Sequence, residues 1–297
     1  MKILLFGRNG QVGRALSPLL PQLGDLVALG RDEADFTDPA AIAALIRREE
    51  PDIIVNAAAD TAVDAAEDDP ARAYRVNAET VGAIGTAARA ITALVVHYST
   101  DFVFDGTGDA PWRETDPVNP LSVYGKSKRA GEVALMESGA VHMILRTSWN
   151  YGDRGKNFPL AILNLARTRD TLTVVSDEIG AATPALLIAD ATIAALRQLS
   201  ANRGLGGLYH LSAAGAASRH ELARFIVAEA RAAGAQLALT PEAIQPVLAR
   251  DYGAKAPRPA NSRLDTTKFA TTFGVHLPAW QDGIRQLIKA LGREGRL

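Results

Sequence analysis

The most restrictive feature of this sequence lies at its start, where a short apolar run meets three evenly spaced glycines. Residues 3–6 predict a buried strand, and Gly7, Gly10 and Gly13 follow at intervals of three as a helical pattern begins. Glycine permits positive φ and lets a backbone approach a ligand closely, and the first N–H groups of a helix favour an anion. This order of strand, glycines and helix therefore predicts the pyrophosphate site of a dinucleotide.

A repeating alternation of strands and helices indicates the fold class. Further apolar runs bounded by turn residues occur at residues 26–29, 52–56, 94–98 and 141–145, and helical patterns lie at residues 12–20, 39–48, 70–89 and 123–137. Continuous apolar strands are typical of a parallel sheet that helices cover on both faces. We therefore predict an α/β fold with a doubly wound, Rossmann-like parallel sheet.

The second half of the chain has a looser pattern. It predicts helices at residues 158–168, 185–199, 218–232 and 280–291, and strands at residues 172–175 and 208–211. We expect residues 1–150, with roughly 184–214 returning, to form the dinucleotide-binding domain. Roughly 151–183 and 215–297 would form a smaller α/β substrate-binding domain. Pro257 and Pro259 predict a loop between elements of that domain.

Composition excludes several classes of function. The 297 residues include 32 basic and 33 acidic side chains, so net charge gives neither nucleic acid nor an anionic membrane a reason to bind. The absence of cysteine excludes disulfides and thiolate metal sites and agrees with a cytoplasmic location. The first apolar run is too short for a signal peptide or a membrane span. Because the five histidines lack ligand spacing, we expect no metal site.

The residues near the second strand bear on the choice of cofactor. Arg31 follows this strand, and Asp32 and Glu33 come next. An acidic side chain here would accept from a free ribose 2′-hydroxyl, whereas arginine pairs with a 2′-phosphate. We expect NADP(H) to be preferred and NAD(H) to be the alternative. The predicted contacts of this half of the cofactor are Gly7, Asn9, Gly10, Gln11, Val12, Gly13, Arg31, Asp35 and Phe36, the last two beside the adenine.

A tyrosine and a lysine one helical turn apart supply candidate chemistry. Tyr124 and Lys128 stand at i and i+4 of a predicted helix, although this spacing also occurs in ordinary helices. An ammonium about 4 Å from a phenol is worth up to roughly 4 kcal/mol at an effective dielectric near 20. We therefore predict that Lys128 lowers the pKa of Tyr124 and makes it a general acid near neutrality. Thr100, at the end of the fourth strand, would hold the substrate carbonyl.

Several blocks of the chain resemble the extended short-chain dehydrogenases and, more closely, the dTDP-4-dehydrorhamnose reductase family. The Ser-Thr-Asp block at residues 99–101 and the Thr-Ser-Trp block at residues 147–149 are the specific ones. The blocks span nearly the whole length and comprise residues 7–13, 56–59, 61–67, 76–77, 99–106, 124–128, 145–149, 157–158, 258–259 and 261–262.

This resemblance implies an activity and a set of site residues. The implied reaction is reduction of dTDP-4-dehydro-β-L-rhamnose at C4 by NAD(P)H. Thr100, Tyr124 and Lys128 would be catalytic, and Tyr124 and Lys128 would also contact the cofactor, Lys128 through the nicotinamide ribose. Further cofactor contacts would be Ala57, Ala58 and Ala59, and the implied substrate contacts are Thr61, Val63, Asp101, Phe102, Trp149, Asn157 and Arg258.

Two positions depart from the family pattern. Phe102 stands where the family usually has tyrosine, and Ala15 stands where some members carry a glutamate that binds Mg²⁺ at a dimer interface. We therefore expect no such metal site, while a homodimer is compatible with the sequence. An NDP-sugar epimerase or dehydratase, and a non-catalytic Rossmann regulatory subunit, are the alternative functions. The intact set of Thr100, Tyr124 and Lys128 favours an enzyme.

Overall fold

The computed structural model describes residues 1–297 and has one large sheet with three small ones. The strands are β1 (Lys2–Phe6), β2 (Asp25–Leu29), β3 (Ile53–Asn56), β4 (Leu94–Thr100), β5 (His142–Thr147), β6 (Asn150–Tyr151), β7 (Leu172–Val175), β8 (Ile179–Gly180), β9 (Thr183–Pro184), β10 (Gly207–His210), β11 (Ala217–Ser218) and β12 (Ile244–Val247). The large sheet has six parallel strands in the order β10-β5-β4-β3-β1-β2. The predicted parallel sheet is confirmed.

Twelve helices surround these sheets, and short 3₁₀ turns join some of them. The helices are α1 (Gln11–Leu16), α2 (Pro39–Glu49), α3 (Val63–Ala66), α4 (Pro70–Tyr74), α5 (Thr80–Ala90), α6 (Val123–Glu137), α7 (Phe158–Ala166), α8 (Ala185–Ala201), α9 (Arg219–Ala232), α10 (Ala249–Tyr252), α11 (Thr267–Phe273) and α12 (Trp280–Arg293). No helix is both long and apolar enough to cross a membrane.

Polar residues in the sequence fix where the main helices begin. The Asp38 side chain accepts from the N–H of Ala41 at the start of α2, and the Ser122 side chain accepts from the N–H of Gly125 at the start of α6. Ser218 and Glu221 form a reciprocal capping box at the start of α9. Each cap satisfies an amide that the first helical turn leaves without a partner.

Alternate side chains of the buried strands pack on opposite faces of the large sheet. Leu5 and Val96 point to the face that α8 and α11 cover, and Leu4 and Val95 belong to a second core beneath α2 and α5. Two buried faces explain why these strands read as continuous apolar runs. A third core, which includes Ile226 of α9 and Ile284 of α12, lies away from the large sheet, among α7, α9, α12 and the pair of β7 and β12. We call this region the smaller part of the molecule.

Two predicted helices are shorter than the pattern indicated. The helix predicted at residues 12–20 ends at Leu16, because Pro18 has no N–H to continue the helical hydrogen bonds. The helix predicted at residues 70–89 is broken by the π-helical segment Arg75–Glu79. The hydroxyl oxygen of Thr80 lies 2.7 Å from the Phe36 carbonyl and 2.9 Å from the Arg75 carbonyl, so its single proton can bond to either of them and stabilise this break.

The two strands predicted in the second half of the chain belong to different sheets. β10, predicted at residues 208–211, joins the large sheet beside β5, whereas β7 pairs with β12 in a separate parallel pair. The division of the chain into two domains stays a prediction. Because β3 lies beside β1 rather than β2, the strand order reverses at β1, and the crevice at this reversal is where open α/β sheets bind ligands.

Candidate active site

The glycine turn after β1 requires residues without a side chain. Gly7 has φ +83°, and a β-carbon there would lie 2.6 Å from the backbone nitrogen of Ala58. A β-carbon on Gly13 would collide with the carbonyl of Gly7. The glycines therefore let the turn close against the loop that follows β3.

A cavity of about 830 Å³ opens beside this turn. The residues present fit a dinucleotide, because seven of the sixteen lining residues are glycine or alanine, whose small size leaves room for a pyrophosphate beside the glycine turn. The predicted cofactor residues in its lining are Gly7, Asn9, Gly10, Arg31, Asp35, Phe36, Ala57, Ala58 and Ala59.

Five predicted cofactor residues lie outside that lining: Tyr124 and Lys128 on α6, which are described below, and three residues of the glycine turn. The Gln11 amide donates to the carbonyl of Lys156 at 3.2 Å and faces the smaller part of the molecule. Val12 packs against the core of the large sheet, and Gly13 is buried beneath the turn. Gln11, Val12 and Gly13 therefore support the turn on the side that faces away from the cavity.

Charged side chains at the end of β2 separate into paired and unpaired groups. Glu33 is engaged twice, since it accepts from Gly30 N–H at 2.8 Å and pairs with Arg8 at 2.9 Å. Arg31 is exposed, lines the cavity and makes no ion pair. Asp35 accepts from the backbone N–H and the hydroxyl of Thr37, and both bonds lower its pKa.

Phe36 and Asn77 fix the wall of this cavity. The Phe36 ring packs edge-on against Phe6 at a centroid distance of 5.3 Å and belongs to the core. The Asn77 amide, in the π-helical segment, donates to the carbonyl of Asp60 at 3.0 Å and to the Ser127 hydroxyl at 3.0 Å. The π-helical segment therefore ties the loop after β3 to α6.

Thr100, Tyr124 and Lys128 are all buried around the carboxyl end of β4. Thr100 is the last residue of β4, and its hydroxyl donates to Asp101 at 3.0 Å. Tyr124 and Lys128 lie on α6, which packs against β4. The Thr100 side chain lies close enough to the Tyr124 phenol to act on its pKa. The structure thus places the predicted hydroxyl, phenol and amine in one region.

The predicted lowering of the Tyr124 pKa by Lys128 is wrong. Burial raises the pKa of Tyr124, and the carboxylates of Asp101 and Asp60 raise it further, while the hydrogen bond of Thr100 opposes them. The Lys128 amine is turned to the backbone of β4 and donates to the Tyr98 carbonyl at 2.7 Å. Desolvation of the phenol dominates. Tyr124 is consequently held in the protonated form that a proton donor needs.

A second cavity, of about 1000 Å³, lies on the side of the smaller part. The predicted substrate residues Thr61, Asn157 and Arg258 line it. Asn157 also caps α7, and Arg258 pairs with Asp64 at 2.9 Å. This cavity therefore draws its wall from both halves of the chain.

The other predicted substrate residues, Val63, Asp101, Phe102 and Trp149, do not line this cavity. Phe102 packs edge-on against Tyr124 at a centroid distance of 5.4 Å, and Val63 lies in the same small cluster. Asp101 is buried, its Oδ2 atom has no hydrogen-bond partner, and burial raises its pKa to about 6. Trp149 has φ +48°, a conformation that is uncommon for a bulky residue.

Arg219, the first residue of α9, completes the second cavity. Its guanidinium carbon lies 3.7 Å from the centroid of the Trp149 ring, and its Nε atom lies 3.6 Å from Glu178. Burial lowers the pKa of Arg219 to about 10, which leaves it charged at neutral pH. The cavity thus presents a cation stacked on an aromatic ring.

Comparison with known proteins identifies the family. A family model described as the RmlD substrate binding domain matches residues 1–293. The chain belongs to this family. It is 48% identical over 292 residues to the dTDP-4-dehydrorhamnose reductase of Salmonella typhimurium, with 97% of each chain covered. The resemblance drawn from the sequence blocks is confirmed.

Relatives with solved structures have the same fold. A dTDP-4-dehydrorhamnose reductase from Clostridium acetobutylicum is 31% identical, with a TM-score of 0.89 over 98% of this chain and 100% of that one. One from Bacillus anthracis, solved in complex with NADP, is 29% identical, with a TM-score of 0.88 over 97% of this chain and 99% of that one. The α/β fold class is confirmed at the level of the whole chain.

Several residues of this family member's site escaped the sequence analysis. Arg219 follows a helix cap and has no local signal, because only the packing of α9 brings it over Trp149. Lys156 lines the second cavity from a loop. Asn56 and His97 read as ordinary strand residues, although both are buried and polar. The one available signal was a polar residue within an otherwise apolar strand.

Proposed function

We propose that this protein reduces the C4 ketone of dTDP-4-dehydro-β-L-rhamnose with NAD(P)H, giving dTDP-L-rhamnose. The observation that carries the proposal is that the hydroxyl-bearing Thr100, the phenol of Tyr124 and the amine of Lys128 are buried together where α6 packs against β4. The charges of Asp60 and Asp101 both raise the pKa of the Tyr124 phenol. Asp60 lines the first cavity, and Arg219, which lines the second cavity, lowers the pKa of Asp101. Relatives that bear the reductase name cover nearly the whole chain.

The first cavity is the proposed cofactor site. The bound nicotinamide supplies the hydride for the carbonyl carbon. Gly7 and Gly10 would border the pyrophosphate, and Ala57 to Ala59 would form the opposite wall. Arg31 is the free cation at the adenosine end, while Glu33 is occupied by Arg8 and Gly30. A free arginine and an engaged glutamate support NADPH over NADH.

Tyr124 is the proposed general acid and Thr100 the proposed carbonyl holder. Burial keeps the phenol protonated before the reaction, so its proton is available for the oxygen that becomes the C4 hydroxyl. The Thr100 hydroxyl donates to Asp101 at 3.0 Å and can turn to a substrate oxygen instead. In its protonated form, the buried Lys128 would favour the phenolate once the proton has left.

The second cavity is the proposed sugar-nucleotide site. Lys156, Arg219 and Arg258 line it, and Lys156 has no ion-pair partner. A diphosphate carries two negative charges, which these cations would balance even though Asp64 and Glu178 already offset two of them. Trp149 and Phe102 would border the deoxysugar, because aromatic rings provide apolar faces beside polar groups. A diphosphate sugar therefore suits the charge and shape of this wall.

Cofactor turnover tests the proposal. We expect the purified protein to oxidise added NADPH in stoichiometric amounts when dTDP-4-dehydro-β-L-rhamnose is supplied, followed by the loss of absorbance at the reduced nicotinamide band. An epimerase or dehydratase returns its hydride and would give product without net oxidation. A regulatory subunit would bind NADPH and give no product. Either of these results rejects the reductase assignment.

A further inference from the structure

A chain of buried polar groups connects the loop after β3 to Lys128. The N–H of Ala58 donates to Asn56 Oδ1 at 3.1 Å, and Asn56 Nδ2 lies 3.1 Å from His97 Nδ1. The other ring nitrogen, His97 Nε2, lies 3.3 Å from Lys128 Nζ. Asn56, His97 and Lys128 are at most 2% exposed, so water does not compete for these contacts.

Donor and acceptor counting fixes the tautomer of His97. The Ala58 N–H can only donate, so it holds the Oδ1 atom of Asn56 and turns Nδ2 towards the imidazole. An amide nitrogen can only donate, so His97 Nδ1 must accept. A neutral imidazole carries one N–H, which is then on Nε2 and points at Lys128. Burial lowers the pKa of His97 well below its usual value, which excludes the imidazolium.

The same counting applies to the lysine. An ammonium has three N–H groups and no lone pair, so it would face the N–H of His97 donor to donor. A neutral amine accepts from His97 and still donates to the Tyr98 carbonyl, which lies 2.7 Å away. Burial acts in the same direction as this donor clash, since it lowers the pKa of Lys128 to about 8, so that the ammonium and the amine interconvert near that pH.

We propose that His97 is a positioning residue for Lys128, locked by Asn56 as the Nε2–H tautomer so that it anchors the lysine amine and eases release of the lysine proton. Lys128 is then a titrating group rather than a permanent cation. This inference rests on the proposed function only for its effect on turnover. The hydrogen-bond chain and the titration stand without a substrate.

Other charged groups near Lys128 are accounted for. Glu132, one turn further along α6, raises the pKa of Lys128. Arg146 of β5 binds Glu132 at 2.8 and 2.7 Å, and Arg129 binds it at 2.9 Å, so its charge is largely matched. The charge of His142 of β5 lowers the pKa of His97. The charges of Asp101 and Asp60 raise the pKa of Tyr124.

The first test measures the tautomer in the wild-type protein. Long-range ¹H–¹⁵N spectra of protein labelled at the histidine ring nitrogens distinguish the two tautomers and the imidazolium. We expect His97 to be the Nε2–H form between pH 6 and about 9. A His97 that carries its proton on Nδ1, or on both nitrogens, overturns the proposal. This measurement needs no variant and therefore does not depend on whether a variant folds.

The second test follows the titration of Lys128. The chain has seven lysines, so ¹³Cε labelling gives few signals, and Lys128→Arg assigns the one of interest. We expect titration near pH 8 in the wild type, in line with the pKa of about 8. His97→Gln can turn its amide oxygen to the ammonium, and this should raise the titration by roughly one pH unit, the scale of one charged hydrogen bond.

His142→Gln is the matched control, because the His142 ring bonds to the Ala140 carbonyl and does not contact Lys128. It should leave the Lys128 titration in place. An unchanged titration in folded His97→Gln overturns the proposal. The alkaline limb of kcat should move upward together with the Lys128 titration in His97→Gln. A wild-type protein without any reductase activity would reject the proposed function, while the two spectroscopic tests would still decide the role of His97.

Discussion

The guanidinium of Arg219 lies over the indole of Trp149, with its carbon 3.7 Å from the ring centroid. Gly180 also packs against the indole, and a β-carbon at this position would lie only 2.6 Å from the ring. The strained φ of Trp149 places the ring between these two groups. This stack joins the first residue of α9 to the loop after β5, and Arg219 itself lines the second cavity.

We expect Arg219→Ala to raise KM for the dTDP-sugar by at least about tenfold, because a partly buried cation that binds a phosphate oxygen is worth on the order of 1.5 to 3 kcal/mol. The affinity for NADPH should not change. Arg224→Ala is the control, since Arg224 lies on the same helix and is exposed. Steady-state kinetics with varied sugar nucleotide measure the effect, and an equal KM in the two variants would remove Arg219 from the substrate site.

Tyr124→Phe should lower kcat by at least about a hundredfold, the scale expected when a general acid is lost. The ring keeps its edge-on contact with Phe102, so folding and cofactor binding should be retained. Turnover under saturating conditions, compared with NADPH affinity from fluorescence quenching, separates the two effects. Tyr74→Phe, at a tyrosine that is 36% exposed, serves as the control. Full activity in Tyr124→Phe would exclude the phenol as the proton donor.

Arg31→Ala should raise KM for NADPH about tenfold and leave KM for NADH nearly constant. Arg31 is the unpaired cation beside the adenosine end of the cavity, and its exposure limits the size of the effect. The ratio of kcat/KM for the two cofactors is the quantity to measure. Arg47→Ala, on the exposed side of α2, controls for loss of surface charge. If both cofactors lose affinity equally, Arg31 does not read the 2′-phosphate.

Asp101→Asn should change how stability depends on pH. Burial raises the folded-state pKa of Asp101 from 3.8 to about 6, so the folded protein holds this proton more tightly than the unfolded chain. The resulting stability is present below about pH 4 and is lost as the pH rises through about 6. Removing the charge should therefore stabilise the protein above pH 6, by up to roughly 3 kcal/mol.

Urea unfolding of Asp101→Asn and of the wild type at pH 4 and pH 8 measures that difference. The free energies of unfolding should nearly agree at the lower pH and separate at the higher one. Asp109→Asn, at an exposed aspartate, should show no such separation. A constant difference at both pH values would mean that Asp101 is ionised throughout this range.

Local signals in the sequence determined most of the secondary structure and the family. The helix predicted at residues 123–137 is α6 to the residue, because Ser122 supplies its cap and its apolar positions recur at helical spacing. The glycines after β1 likewise predicted a tight approach of backbones, and Gly7 packs against Ala58. Such features depend on a few neighbouring residues, so the sequence is sufficient to find them.

Tertiary structure decided the electrostatics and the partners of the site. The spacing of Tyr124 and Lys128 predicted their shared helix but gave the wrong direction for the Tyr124 pKa, because the degree of burial depends on what α6 packs against. Arg219 meets Trp149, and His97 meets Lys128, only after distant segments are brought together. Helix spacing and capping are short-range properties of the chain, whereas desolvation and long-range contacts exist only in the folded molecule.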